Sequence, residues 1–237
     1  MDIAATKNTL LSSNLLFILL STFALIISIF LSSMKFYFWF SDKKIGRKKL
    51  FEIYYGAAGV HFIFGFFGST SLRLTLLSKL FSTPIKQMAK FLFVDKGLQL
   101  FLMVGFVAYY LGFGWTNFLP YFFCCLIFFA LVIDLRFNTR YQFITSSLIL
   151  ILSLIRYGAL VAAVTTDIVN MEIAVAYSVA QMLPLPLGGF GLRELIFSHV
   201  LISNNFEQLF AIGSIVLCQG LFILFTSLGI SFFGKSE

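Results

Sequence analysis

Charge is scarce in this sequence. Only 11% of the 237 residues are Asp, Glu, Lys or Arg, and acidic residues number just 10. A soluble domain carries about 25% charged residues, so the ordinary water-facing surface is excluded. Proline occurs four times and tryptophan twice, which leaves little room for Pro-rich linkers. Cysteine occurs three times, with Cys124 and Cys125 adjacent and Cys218 far away. That number and spacing give neither a disulfide framework nor a zinc site, so the cysteines read as apolar packing residues. The chain also lacks a Ser/His/Asp set, a His/Cys metal spacing, a Walker loop and a nucleotide fingerprint. It is therefore read as no enzyme, with no cofactor and no metal.

What is abundant is apolar. Hydrophobic residues make up 59%, and Phe alone occurs 32 times. Lipid as solvent permits an apolar exterior, and about 20 residues of helix cross the hydrocarbon layer. The expected fold is an all-α integral membrane protein, a single domain over residues 1–237 with about six full spans plus two broken or re-entrant segments. The net charge of +7 sits in short loops between apolar runs, which fits orientation and attraction to anionic headgroups rather than nucleic acid.

The spans read as follows. Leu15–Met34 is the first, with the N-terminus outside, since basic residues follow it. Lys35, Lys43, Lys44, Arg47, Lys48 and Lys49 then mark a cytoplasmic loop. Phe51–Gly68 ends in the Gly-rich stretch Gly65–Ser71, and Leu72–Phe81 is a short amphipathic piece. A plain crossing would leave Lys79, Lys86, Lys90 and Lys96 outside; a re-entrant hairpin returns them to the cytoplasm and is preferred. Phe91–Gly112, Phe118–Asp134 and Tyr141–Val164 are full spans. Ile173–Leu183 enters the membrane and is broken over Pro184–Gly191, Leu192–Leu201 is a half-helix, and Phe206–Phe233 ends inside. The expected location is the cell membrane, multi-pass.

The two broken segments share a pattern. Gly68, Leu72 and Arg73 recur as Gly188, Leu192 and Arg193, 120 residues later. Entered from opposite sides, they have the spacing of inverted repeats, with half-repeats over about 51–112 and 171–233. Coincidence in a low-complexity apolar chain would give the same identities. Pro184 and Pro186 cannot continue a helical hydrogen-bond ladder, and Gly188, Gly189 and Gly191 permit a tight turn. A half-helix N-terminus beside an Arg presents donors suited to phosphate.

Ionisable residues at membrane depth are the candidate site. Arg73, Arg193 and Arg156 are expected to hold a lipid phosphate, and Glu194 and Asp95 to tune or release it. Snorkelling or a structural ion pair is the alternative for Arg156. His61, alone on an apolar segment, reads as a core residue. Gln99, Gln181 and Gln219 read as hydrogen bonds between helices.

The run Leu183-Pro184-Leu185-Pro186-Leu187-Gly188-Gly189-Phe190-Gly191-Leu192-Arg193-Glu194 resembles a motif of the lysylphosphatidylglycerol synthase transmembrane-region family, the flippase-like domain family. The stretch from Gly68 to Asp95-Lys96 is similar to that family's first motif, departing from it at Thr70 and Lys96. The resemblance covers about Phe51 to Leu201 and lacks the aminoacyl-transferring domain. It implies handling or translocation of an anionic lipid, phospholipid or polyprenyl-phosphate-linked. A non-transporting subunit that anchors or regulates a glycosyltransferase or lipid-synthesis partner is the alternative.

Overall fold

The structure, a computed structural model, describes residues 3–40, 46–89, 92, 139–165 and 206–233. Within these, every regular element is helical: α1 (Ile3–Ser12), α2 (Leu15–Trp39), α3 (Arg47–Phe81), α4 (Thr139–Val164) and α5 (Phe206–Phe233). Among the described residues, three stretches are long and apolar enough to cross a membrane: Leu15–Phe38, Ile144–Val164 and Gln208–Gly229. This is a membrane protein built of helices. Apart from Leu92, the expected spans Phe91–Gly112 and Phe118–Asp134 and the broken segment Ile173–Leu201 lie outside the described residues.

Local chemistry explains the helix ends. Asn14, in extended conformation, caps α2 by accepting from Leu16 N at 3.0 Å. Within α2, hydroxyls bond back to their own helix: Thr22 to Ile18 O at 2.9 Å, Ser28 to Leu25 O at 2.7 Å and Ser32 to Ser28 O at 2.8 Å. Such back-bonds let hydroxyls sit in an apolar setting without a stranded donor. α3 stops at Ser82, whose φ of 48° is left-handed. Ser82 N bonds Lys79 O and Thr83 N bonds Ser78 O, closing the last turn before Pro84.

Packing is antiparallel. Asn14 N donates to Ala163 O at 2.9 Å at one end of the α2–α4 pair, and Lys35 meets Ser146 toward the other. α3 and α5 pair through Tyr55 Oη and Thr226 Oγ1 at 2.8 Å. A Cβ on Gly59 would lie 2.7 Å from Leu224 Cα, so the two backbones touch there and only glycine fits. The core between the helices includes Leu25, Ile29, Leu50, Leu160, Leu209 and Ile212. Leu16, Leu19, Phe23, Ile151 and Phe225 are exposed, as a lipid-facing surface requires.

α3 is helical throughout, yet it folds back on itself. A straight helix would set Tyr54 and Arg73 about 28 Å apart. Instead the Arg73 guanidinium lies 5.2 Å from the Tyr54 ring centre. Phe36 touches Tyr54 at 5.7 Å and Phe81 at 6.0 Å between ring centres, and the Phe40 and Phe81 rings lie tilted at 4.4 Å. Both ends of α3 therefore lie beside the last turns of α2, where Arg47 also covers the Tyr37 ring at 4.7 Å. This end of the bundle is called the basic end below. The return to one side agrees with a re-entrant path, but Gly68 is not the non-helical turn the sequence suggested. It lies in helical backbone. A helical glycine costs about 1 kcal/mol, whereas each unbonded backbone group in lipid costs several.

Two further expectations are corrected. Lys35 is not a loop residue: α2 continues five residues past Met34 to Trp39 and carries Lys35 inside it, 4% exposed. Cys218 is exposed on α5 rather than packed in the core.

Candidate functional site: cations inside the helical bundle

Three cationic side chains of the described helices are buried or half-buried, Lys35, Arg73 and Arg156, each against neutral polar groups. Lys35 on α2 donates to Ser146 Oγ on α4, and both residues are buried. Lys35 reaches that hydroxyl because the antiparallel register sets the last turns of α2 against the first turns of α4.

Arg156 on α4 is 2% exposed. Its Nη2 donates to Gln219 Oε1 on α5 at 3.0 Å. Gln219 Nε2 in turn donates to Ser21 Oγ and Thr22 Oγ1 on α2, each at 3.0 Å. One amide thus joins α2, α4 and α5, the three described helices long and apolar enough to cross a membrane. The expectation that Gln219 bonds between helices is met, with an arginine as one partner. Burial of a guanidinium is tolerated when its donors find acceptors across helices.

Arg73 differs. It is only half-buried. Its Nη2 donates to Ser69 Oγ one turn back at 2.8 Å, and Ser69 itself is buried. The guanidinium also faces the Tyr54 ring, a cation–π arrangement. Its Nε is buried with no hydrogen-bond partner among the described residues. Arg73 is thus held between a hydroxyl and an aromatic face while half-exposed, at a place the fold-back of α3 creates.

Arg73 and Arg156 do not converge. Arg73 lies over Tyr54, whose neighbour Tyr55 pairs with Thr226, seven residues along α5 from Gln219. That is about 10 Å along the helix axis. Measured along α2, from Ser21 to the Phe36 that touches Tyr54, the separation is about 20 Å. Arg156 is engaged in the helix junction and sits at another depth than Arg73. Arg193, Glu194, Asp95, Pro184, Pro186, Gly188, Gly189 and Gly191 lie outside the described residues. His61 is half-buried on α3.

Sequence reasoning missed Lys35, Ser146, Ser21 and Thr22. A signal was present: Ser21, Ser28 and Lys35 recur every seven residues along an apolar helix, which makes a polar stripe on one face. Among the described residues, no three of His, Cys, Asp or Glu cluster as metal ligands would. Comparison with protein-family models, with curated proteins and with solved structures finds no match.

Proposed function

We propose that this chain handles an anionic lipid, phospholipid or polyprenyl-phosphate-linked, and moves it between leaflets. The observation that carries the reading is Arg73: half-buried where Lys35 and Arg156 are buried, and braced by Ser69 and Tyr54. A guanidinium so held presents a fork that matches a phosphate. In this reading Arg193 supplies the second donor from the broken segment Pro184–Gly191, and Glu194 and Asp95 tune release. Arg156 is reassigned from the phosphate to the three-helix junction. The full architecture is about six spans plus the re-entrant α3 and one segment broken over Pro184–Gly191, oriented with the N-terminus outside and the C-terminus inside the cell membrane.

The test is reconstitution of the pure protein in liposomes with fluorescent phosphatidylglycerol, followed by bleaching of the outer leaflet. Wild type should render more probe accessible than empty liposomes do. Arg73→Lys keeps charge but loses the fork and should slow exchange several-fold, and Arg73→Ala should slow it more. Normal exchange by Arg73→Ala at normal abundance would rule out the phosphate role.

A second reading has its own support. Lys35 and Arg156 are buried against hydroxyl and amide groups of neighbouring helices, the pattern of polar glue in a non-transporting bundle. Such a protein would serve as the membrane subunit of a glycosyltransferase or lipid-synthesis partner. No lipid exchange by the intact, pure wild type would favour it.

A further inference from the structure

We infer that the basic end of the bundle is a docking rim for anionic phospholipid headgroups, assembled by the fold-back of α3 from two segments distant in sequence. Arg47, Lys48 and Lys49 begin α3, and all three are exposed. Lys79 and Lys86 flank its other end, and both are exposed as well. The aromatic contacts bring these groups together. Arg47 covers Tyr37, and Phe81, two residues from Lys79, packs on Phe36 and Phe40 of the same stretch of α2. Five exposed cations thus surround the terminus of one membrane-crossing helix. The acidic residue described in these segments is the half-buried Glu52.

Depth identifies the partner. The apolar stretch of α2 ends at Phe38, so cations beside Tyr37 and Phe40 stand at headgroup level. The segment after Pro84 has interfacial character. Ile85 is 56% exposed beside exposed Lys86 and Gln87, whereas Met88 is fully buried and anchors the segment. An apolar side chain reaching the acyl boundary next to cations reaching phosphates suits an anionic phospholipid better than a soluble anion or an acidic protein. This inference concerns binding and does not depend on whether the protein moves lipid.

The test uses the full chain in phosphatidylcholine vesicles, with a fluorophore on I85C in a C124A/C125A/C218A background. Dibromo-phosphatidylglycerol should quench at an at least threefold lower mole fraction than dibromo-phosphatidylcholine. About 1 M salt, where the screening length is about 3 Å, should erase the difference without any substitution. R47Q/K48Q/K49Q and K79Q/K86Q should each weaken the preference, and the combination should abolish it. Equal quenching by both lipids, or a preference that survives high salt, overturns the inference. A loss confined to one of the two groups overturns the single rim. A chain that selects anionic lipid but moves none upholds this inference and refutes the transport reading; lipid exchange without selection at position 85 does the reverse.

Discussion

Replacing Gln219 by Leu tests the three-helix junction most directly. The change nearly conserves volume, so packing is kept while three hydrogen bonds are removed: one accepted from Arg156 and two donated to Ser21 and Thr22. Interhelical hydrogen bonds in membranes average about 0.6 kcal/mol each, which gives about 2 kcal/mol for the three. The buried Arg156 also loses an acceptor, and stranding part of a buried charged group adds about 1–3 kcal/mol. The expected loss is therefore about 3–5 kcal/mol. Arg156→Leu should be milder, because it removes the charge together with its need for an acceptor and leaves Gln219 bonded to α2. The decisive variant is the double one. If the arginine's lost acceptor dominates, Arg156→Leu should partly rescue Gln219→Leu, giving a coupling of at least about 1 kcal/mol. Reversible unfolding in mixed micelles, read by far-ultraviolet circular dichroism, measures all four corners of the cycle. Additive losses, or a Gln219→Leu variant as stable as wild type, would refute the junction as described.

Other outcomes follow from the same packing. Gly59→Ala places a methyl against the Leu224 backbone and should destabilise by about 1–3 kcal/mol by forcing α3 from α5. Gly158→Ala meets open space and should be neutral or gain up to about 1 kcal/mol from helix propensity; both are read as shifts in melting temperature. Single cysteines at positions 48 and 86 should react with an impermeant reagent from the same side of the membrane, because both ends of α3 adjoin the end of α2. Labelling from opposite sides would refute the fold-back. Tyr55→Phe removes one hydrogen bond to Thr226 and should cost about 1 kcal/mol in the same unfolding assay.

The sequence made some features plain and concealed others for physical reasons. Phe206–Phe233 is read with its observed bounds, and Tyr141–Val164 begins two residues late, because long apolar runs between polar segments have few other solutions in lipid. The first span was cut at Met34 because a lysine normally ends a transmembrane run. Its partner Ser146, 111 residues away, is invisible to a local rule. Gly68 misled in the opposite direction: glycine signals a break locally, but the requirement to bond every peptide group kept the helix. The return of α3 was legible only through charge, since Lys79 and Lys86 had to share a side with Lys48. Arg156 was recognised as exceptional by depth alone. Which acceptor it uses depends on helix neighbours, and one chain of letters does not contain that information.

The Gln219 junction also has a consequence in time. Of the helices described, α5 leaves the ribosome last. Arg156 is therefore synthesised 63 residues before its glutamine acceptor, and Ser21 198 before its glutamine donor. During that interval the Gly59 notch has no Leu224 against it and Arg156 lacks the Gln219 amide. Arrival of α5 fills the notch and supplies the amide together. The junction thus closes only when α5 joins the other described helices.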